Sequence, residues 1–96
     1  MIQSFVDVAT ADIFNGKNTK AARTFDQKLW QAITDKLDML DAATTLADLR
    51  SPPGNHLHAL KQDQEGRHAI RVNRQYRITF RFVDGHAHDV QCEDYH

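Results

Sequence analysis

The sequence predicts an α+β fold, with two N-terminal helices packed on a three- to four-stranded, mainly antiparallel sheet. Three observations carry this expectation. Apolar residues recur at helical spacing through the first half of the chain and alternate at strand spacing through the second. Between the two regimes stands "SPPGN", residues Ser51 to Asn55, where two prolines forbid helix continuation and a glycine permits reversal. Ninety-six residues with ordinary apolar and charged fractions (41% and 26%) fit one domain, residues 1–96, around one modest core.

The first helix is expected from Asp7 to Phe14, stopped by "NGK", where Gly16 can take a left-handed cap. The second rests on Phe25, Leu29, Ile33, Leu37 and Leu40, which recur at steps of four, four, four and three and form one apolar stripe. Thr24 with Gln27 fits a capping box for it, and a start nearer Asn18 is the alternative. "TTLADL" adds one further turn.

After the proline loop, "HLHALK" reads as a strand with a local irregularity, because Leu57 and Leu60 cannot share one face of a regular strand. "HAIRVN" and "YRITFRF" alternate cleanly. Ile70, Val72, Ile78, Phe80 and Phe82 point to one face, and Arg71, Arg77, Thr79 and Arg81 to the other. "HDVQC" adds Val90 and Cys92 to the apolar side. For the last hairpin, a two-residue Asp84-Gly85 turn would pair Phe82 with Ala87 and, in regular register, mix the faces. A three-residue loop, Val83 to Gly85, instead pairs Phe82 with His86 and Ile78 with Val90. That register is expected, with Arg77 opposite Gln91.

Composition excludes several classes. No apolar run approaches the ~20 residues that span a bilayer, and the start shows neither basic leader nor long apolar stretch. Cys92 is the single cysteine, so no intramolecular disulfide forms, which fits a reducing, cytoplasmic setting. The net charge is −1, but its layout is lopsided. Arg50, Lys61, Arg67, Arg71, Arg74, Arg77 and Arg81 face only Asp63 and Glu65 within the same stretch, a local excess of +5 that points to a phosphate partner.

His56, His58, His86 and His88 form two His-x-His pairs, yet without the companion ligands of a zinc finger or HExxH site, so no metal is expected. There is no phosphate-binding glycine loop, no GxSxG elbow, and the cysteine lies on the expected core face, so no cofactor and no protein nucleophile are expected. What remains is His58, Lys61, Arg77 and the closing Asp94, Tyr95 and His96. RNA brings its own nucleophile, the 2′-hydroxyl. Cleaving it requires a base, an acid and cations for the charge that builds on phosphorus. Histidine serves either proton role near neutral pH, and arginine or lysine serves the third. Tyrosine stacks on bases or donates its hydroxyl.

"LRSPPGN", "LHALKQDQEGRHAIRVNRQYRITFRF", the closing "EDYH" and the opening "MIQSF" resemble the HigB toxins of bacterial toxin–antitoxin modules, within the RelE/ParE superfamily. The likeness covers nearly the whole chain and is densest from Leu49 to His96. It implies a compact RelE-like, microbial-RNase-type fold and a ribosome-dependent endoribonuclease that cuts mRNA. It also implies neutralisation by a HigA-type helix-turn-helix antitoxin, through which operator DNA is contacted indirectly.

Carried over by position, His58 and Lys61 match the catalytic pair of "LHxLK", Arg77 the phosphate-contacting arginine of "QYRI", and Asp94, Tyr95 and His96 the terminal "DYH". In this reading Arg77 and Lys61 stabilise the phosphate, and His96, steadied by Asp94, transfers a proton. His58 is either the partner base or an orienting group, and Tyr95 stacks on a base or packs the terminus. Arg71, Arg74 and Arg81 are the remaining candidate RNA contacts. Superfamily members are often distinctly basic, and the slight charge here suits an enzyme whose substrate is placed by the ribosome. Two other functions stay open on sequence alone: a ParE-like inhibitor of DNA gyrase, and a non-catalytic RNA- or protein-binding module.

Overall fold

In a computed structural model, which describes residues 1–95, two helices cover one face of a four-stranded antiparallel sheet. The elements are α1 (Val8–Phe14), α2 (Gln27–Ala42), β1 (His58–Ala59), β2 (His68–Arg71), β3 (Tyr76–Val83) and β4 (His86–Asp94), and the strands lie in sequence order. Short 3₁₀ turns at Ala22–Thr24, Leu46–Arg50, Pro53–Asn55 and Gln62–Gln64 make the connections.

Helix α1 begins at Asp7, whose carboxylate accepts the Thr10 N–H at 3.1 Å, and ends before Gly16 at φ +71°. Helix α2 is capped by Asp26, which accepts from the Lys28 N–H at 3.0 Å, and not by the expected Thr24. Thr24 sits in the preceding 3₁₀ turn and gives its hydroxyl hydrogen to the Ala21 carbonyl, so it cannot reach the helix N–H groups. A capping box does occur one element later: Thr45 and Asp48 exchange side-chain and backbone bonds at the Leu46–Arg50 turn.

Ile33, Leu37 and Leu40 from α2 are fully buried against Ile70, Ile78, Phe80 and Val90 of the sheet. Each such side chain contributes about 1.5–3 kcal/mol relative to exposure. Thr10 of α1 is fully buried, and its hydroxyl accepts the Cys92 N–H at 3.0 Å. Burial pushes the Cys92 thiol up to about 12, which leaves it a packing group and not a nucleophile.

The last hairpin departs from the expected register. Val83 pairs with His86 and Phe82 with Ala87, so the turn is the two-residue Asp84-Gly85 pair, both residues left-handed (φ +51° and +80°). The faces nevertheless stay pure because β4 carries one extra residue, Asp89 at φ +51°, between the pairs Arg81–His88 and Thr79–Gln91. Groups from outside the ladder hold this bulge. The Asp89 N–H donates to Ser4 Oγ at 2.8 Å, and its carbonyl accepts from Arg67 at 2.7 Å. Beyond the bulge every partner moves by two relative to the expected pairing, so Arg77 stands opposite Glu93, not Gln91.

Thr79 also departs from expectation: it is fully buried on the otherwise open face, because the Arg67 side chain lies over it and donates to its hydroxyl at 3.0 Å. The N-terminal segment was not expected to join the sheet. Ile2 and Phe5 form parallel bridges to Ala87 and Val90, covering the outer edge of β4.

Candidate active site

The register places Arg71, Arg77 and Glu93 on one rung across β2, β3 and β4, on the face away from the helices. Arg77 reaches Glu93 Oε1 through both Nε (3.2 Å) and Nη2 (2.8 Å), and Gln64 Nε2 donates to the same oxygen at 3.1 Å. Both partners of this ion pair are about four-fifths buried, with side-chain exposures of 20% each. The Tyr95 ring lies over the guanidinium, 5.4 Å from Cζ to its centroid. Tyr95 is itself moored: its hydroxyl donates to the Asn73 carbonyl at 3.0 Å and its N–H to the Gln75 carbonyl at 3.1 Å. Asn73 holds the β2–β3 turn with its own carboxamide, which accepts from the Gln75 and Tyr76 N–H groups.

The opposite wall comes from the proline loop. Asn55 is fully buried; its amide donates to the carbonyls of Leu49 (3.1 Å) and Ser51 (3.4 Å), and its oxygen accepts from Lys36 of α2 at 2.5 Å. That anchor fixes the chain just before His56, a non-glycine residue held left-handed at φ +49°, a conformation of about 1 kcal/mol or more in strain. The His56 carbonyl then lies 2.8 Å from His58 Nδ1. A carbonyl only accepts, so Nδ1 carries the hydrogen and Nε2 of the neutral ring is left basic. The two imidazoles are tilted at 59° with centroids 5.4 Å apart.

His56, His58, Arg71, Arg77 and Tyr95 together line a cleft of about 280 Å³. Four of the residues singled out from sequence therefore converge: His58, Arg71, Arg77 and Tyr95. Lys61, Arg74, Arg81 and Asp94 are not part of this lining. Lys61 is exposed at the start of the Gln62–Gln64 turn. Arg74 is exposed in the β2–β3 turn. Arg81 lies 3.7 Å from Asp89 near the far end of the sheet, with about half its side chain exposed. Asp94 pairs with Tyr76, and its carboxylate accepts from Gln75 at 2.9 Å. His96, and with it the expected pairing of its imidazole with Arg77, lies outside the described residues.

Glu93, Gln64, Asn55 and His56 were missed as site residues. For Glu93 the signal was present, since the correct register would have set it opposite Arg77. Among the described residues no group of three His, Cys, Asp or Glu side chains could hold a metal ion, and no helix is long and apolar enough to cross a membrane.

A helix-covered four-stranded antiparallel sheet is the fold of a class of small bacterial toxins. Solved structures agree at the level of fold. The YoeB-YefM complex from Staphylococcus aureus superposes with a TM-score of 0.61 at 16% identity, covering 100% of this chain and 98% of that one. YafQ from E. coli strain BL21(DE3) gives 0.56 at 12% identity, with 99% and 94% covered. The family model of the RelE-like toxin of type II toxin–antitoxin system HigB matches residues 3–96, and the chain belongs to that family. Toxin HigB-1 of Vibrio cholerae is 42% identical over 71 residues, 74% of this chain and 75% of that protein. Endoribonuclease HigB of Proteus vulgaris is 42% identical over 64 residues, 67% and 68% of the two chains. The protein is thus the toxin of a type II toxin–antitoxin system, in which an antitoxin is its partner.

Proposed function

We propose that this toxin is an endoribonuclease that cuts mRNA on the ribosome, by metal-independent attack of the RNA's own 2′-hydroxyl. The single observation that carries the reading is the convergence of His58, Arg71, Arg77 and Tyr95 on one cleft, supported by the likeness to the endoribonuclease of Proteus vulgaris. His58 Nε2 takes the proton of the 2′-hydroxyl, whose oxygen bonds to phosphorus as the P–O5′ bond breaks. Arg77, with Arg71 beside it, faces the negative charge that grows on the non-bridging oxygens. The departing 5′-oxygen takes its proton from His96, next in the chain after Tyr95, with Asp94 as its orienting carboxylate. The products are a 2′,3′-cyclic phosphate and a 5′-hydroxyl, and atoms balance without metal or water. Tyr95 offers its ring to an unstacked base. Lys61, Arg74 and Arg81, outside the cleft lining, contact the RNA backbone or the ribosome.

A near-neutral chain fits this placement, because a low net charge gives weak grip on free RNA and the ribosome supplies proximity. The toxin acts in the bacterial cytoplasm, and a HigA-type helix-turn-helix antitoxin restrains it and carries the complex to operator DNA. Mapping of ends on a translated message tests the reading. Cuts bearing cyclic phosphate, abolished by a single 2′-deoxy substitution at the cut nucleotide, are expected. Intact messages with altered DNA supercoiling would instead establish a gyrase poison.

A further inference from the structure

We propose that Glu93 is a positioning residue with a second effect: it occupies the phosphate-facing arginine in the free toxin and weakens ground-state binding of RNA. This rests on the nuclease reading and assigns a role to a residue outside its reacting set.

Two Arg77 donors and one Gln64 donor converge on a single oxygen, Glu93 Oε1, at 2.8–3.2 Å. A carboxylate gripped this way fixes the guanidinium plane beneath Tyr95 and aims its remaining donors. It also puts a full negative charge beside the position an RNA phosphate must take. Because the pair is about four-fifths buried, solvent screens that repulsion only in part. The phosphate of the substrate therefore has to share or displace an anion already in place. A dianionic phosphorus centre, with more charge on its oxygens than the bound diester, competes better than the ground state does. The ion pair thus favours the transition state over mere binding, which is the condition for raising turnover. Gln64 adds a structural consequence: it ties the turn that begins at Lys61 to the same oxygen, so loop and cleft share one anchor.

The test is Glu93→Gln, which keeps shape and an acceptor oxygen but removes the charge. With an uncleavable 2′-O-methyl RNA oligonucleotide at low ionic strength, affinity is expected to tighten by about fivefold. Adding Arg77→Ala in the Glu93→Gln background should cancel that gain. On translated message KM is expected to fall together with kcat, the signature of stronger ground-state binding and poorer aim. Glu93→Asp, which keeps the charge one methylene further back, should behave as a weaker version of the same change and serves if Glu93→Gln does not accumulate.

Unchanged or weaker oligonucleotide binding in a variant that still cuts messages overturns the proposal and leaves the nuclease reading standing. If the wild-type chain cuts no message, the nuclease reading fails on its own, whatever the oligonucleotide arm shows. Tighter binding that survives the Arg77→Ala addition also overturns it, because the effect would then not pass through Arg77.

Discussion

The guanidinium of Arg77 is clamped between Glu93, its partner across the strands, and the ring of Tyr95, whose centroid lies 5.4 Å from Cζ. Such a clamp removes most of the freedom of a long side chain, so the cation is oriented before any substrate arrives. Sequence position matters here: Tyr95 follows directly on β4, and the bulge at Asp89 decides which side chains of that strand meet Arg77.

Tyr95 acts in two ways that substitution separates. Tyr95→Phe keeps the ring over Arg77 and loses the bond to the Asn73 carbonyl, so message cleavage is expected to fall by no more than about threefold. Tyr95→Ala removes the cover and the stacking surface together, and a fall of about tenfold or more is expected. Equal effects in a cleavage assay would show that the hydroxyl, not the ring, is the working part.

Asn55 joins the proline loop to α2 and so sets the wall that carries His56 and His58. Asn55→Ala leaves the Leu49 and Ser51 carbonyls and the Lys36 ammonium without this partner, and a loss of about 2–3 kcal/mol is expected by urea denaturation. Cleavage measured well below the denaturation midpoint should fall as well, since the backbone entering the left-handed His56 is no longer pinned.

Asp48 supplies an acid-sensitive contact outside the cleft lining. Its carboxylate accepts the N–H groups of Thr44 (2.9 Å) and Thr45 (3.1 Å), and these bonds hold its pKa below the usual carboxylate value. A group depressed in the folded state stabilises above its unfolded pKa of about 3.9 and loses that contribution as pH falls through the folded value. Asp48→Asn is therefore expected to lower Tm at pH 7 and to reduce the loss of Tm between pH 5 and about pH 2, read by thermal melts at each pH.

Much of this architecture is legible in the sequence because it rests on local periodicity. The stripe from Phe25 to Leu40 and the alternation from Ile70 to Phe82 name the two sides of the core. The Arg71–Arg77 side of the cleft follows from the same alternation. What stayed hidden depends on contacts distant in sequence. Asp89 turns left-handed because Ser4, 85 residues away, and Arg67, 22 residues away, take its backbone groups. No local pattern announces that, and the register error concealed Glu93. His56 entered the sequence reading only in a His-x-His pair for which no metal is expected, whereas in the structure it presents a carbonyl to His58, an arrangement visible only once the loop before it is folded. The helix start moved from Thr24 to Asp26 for a similar reason: the 3₁₀ turn at Ala22–Thr24 uses the threonine hydroxyl first.

The most direct measurement is the single-turnover rate of cleavage of a message held on translating ribosomes, for the wild-type chain, Arg77→Ala and His58→Ala. Each substitution is expected to slow cleavage by about 100-fold or more, with the protein still folded and still bound by its antitoxin. Wild-type rates from both variants would contradict an active site in the cleft between Arg77 and His58.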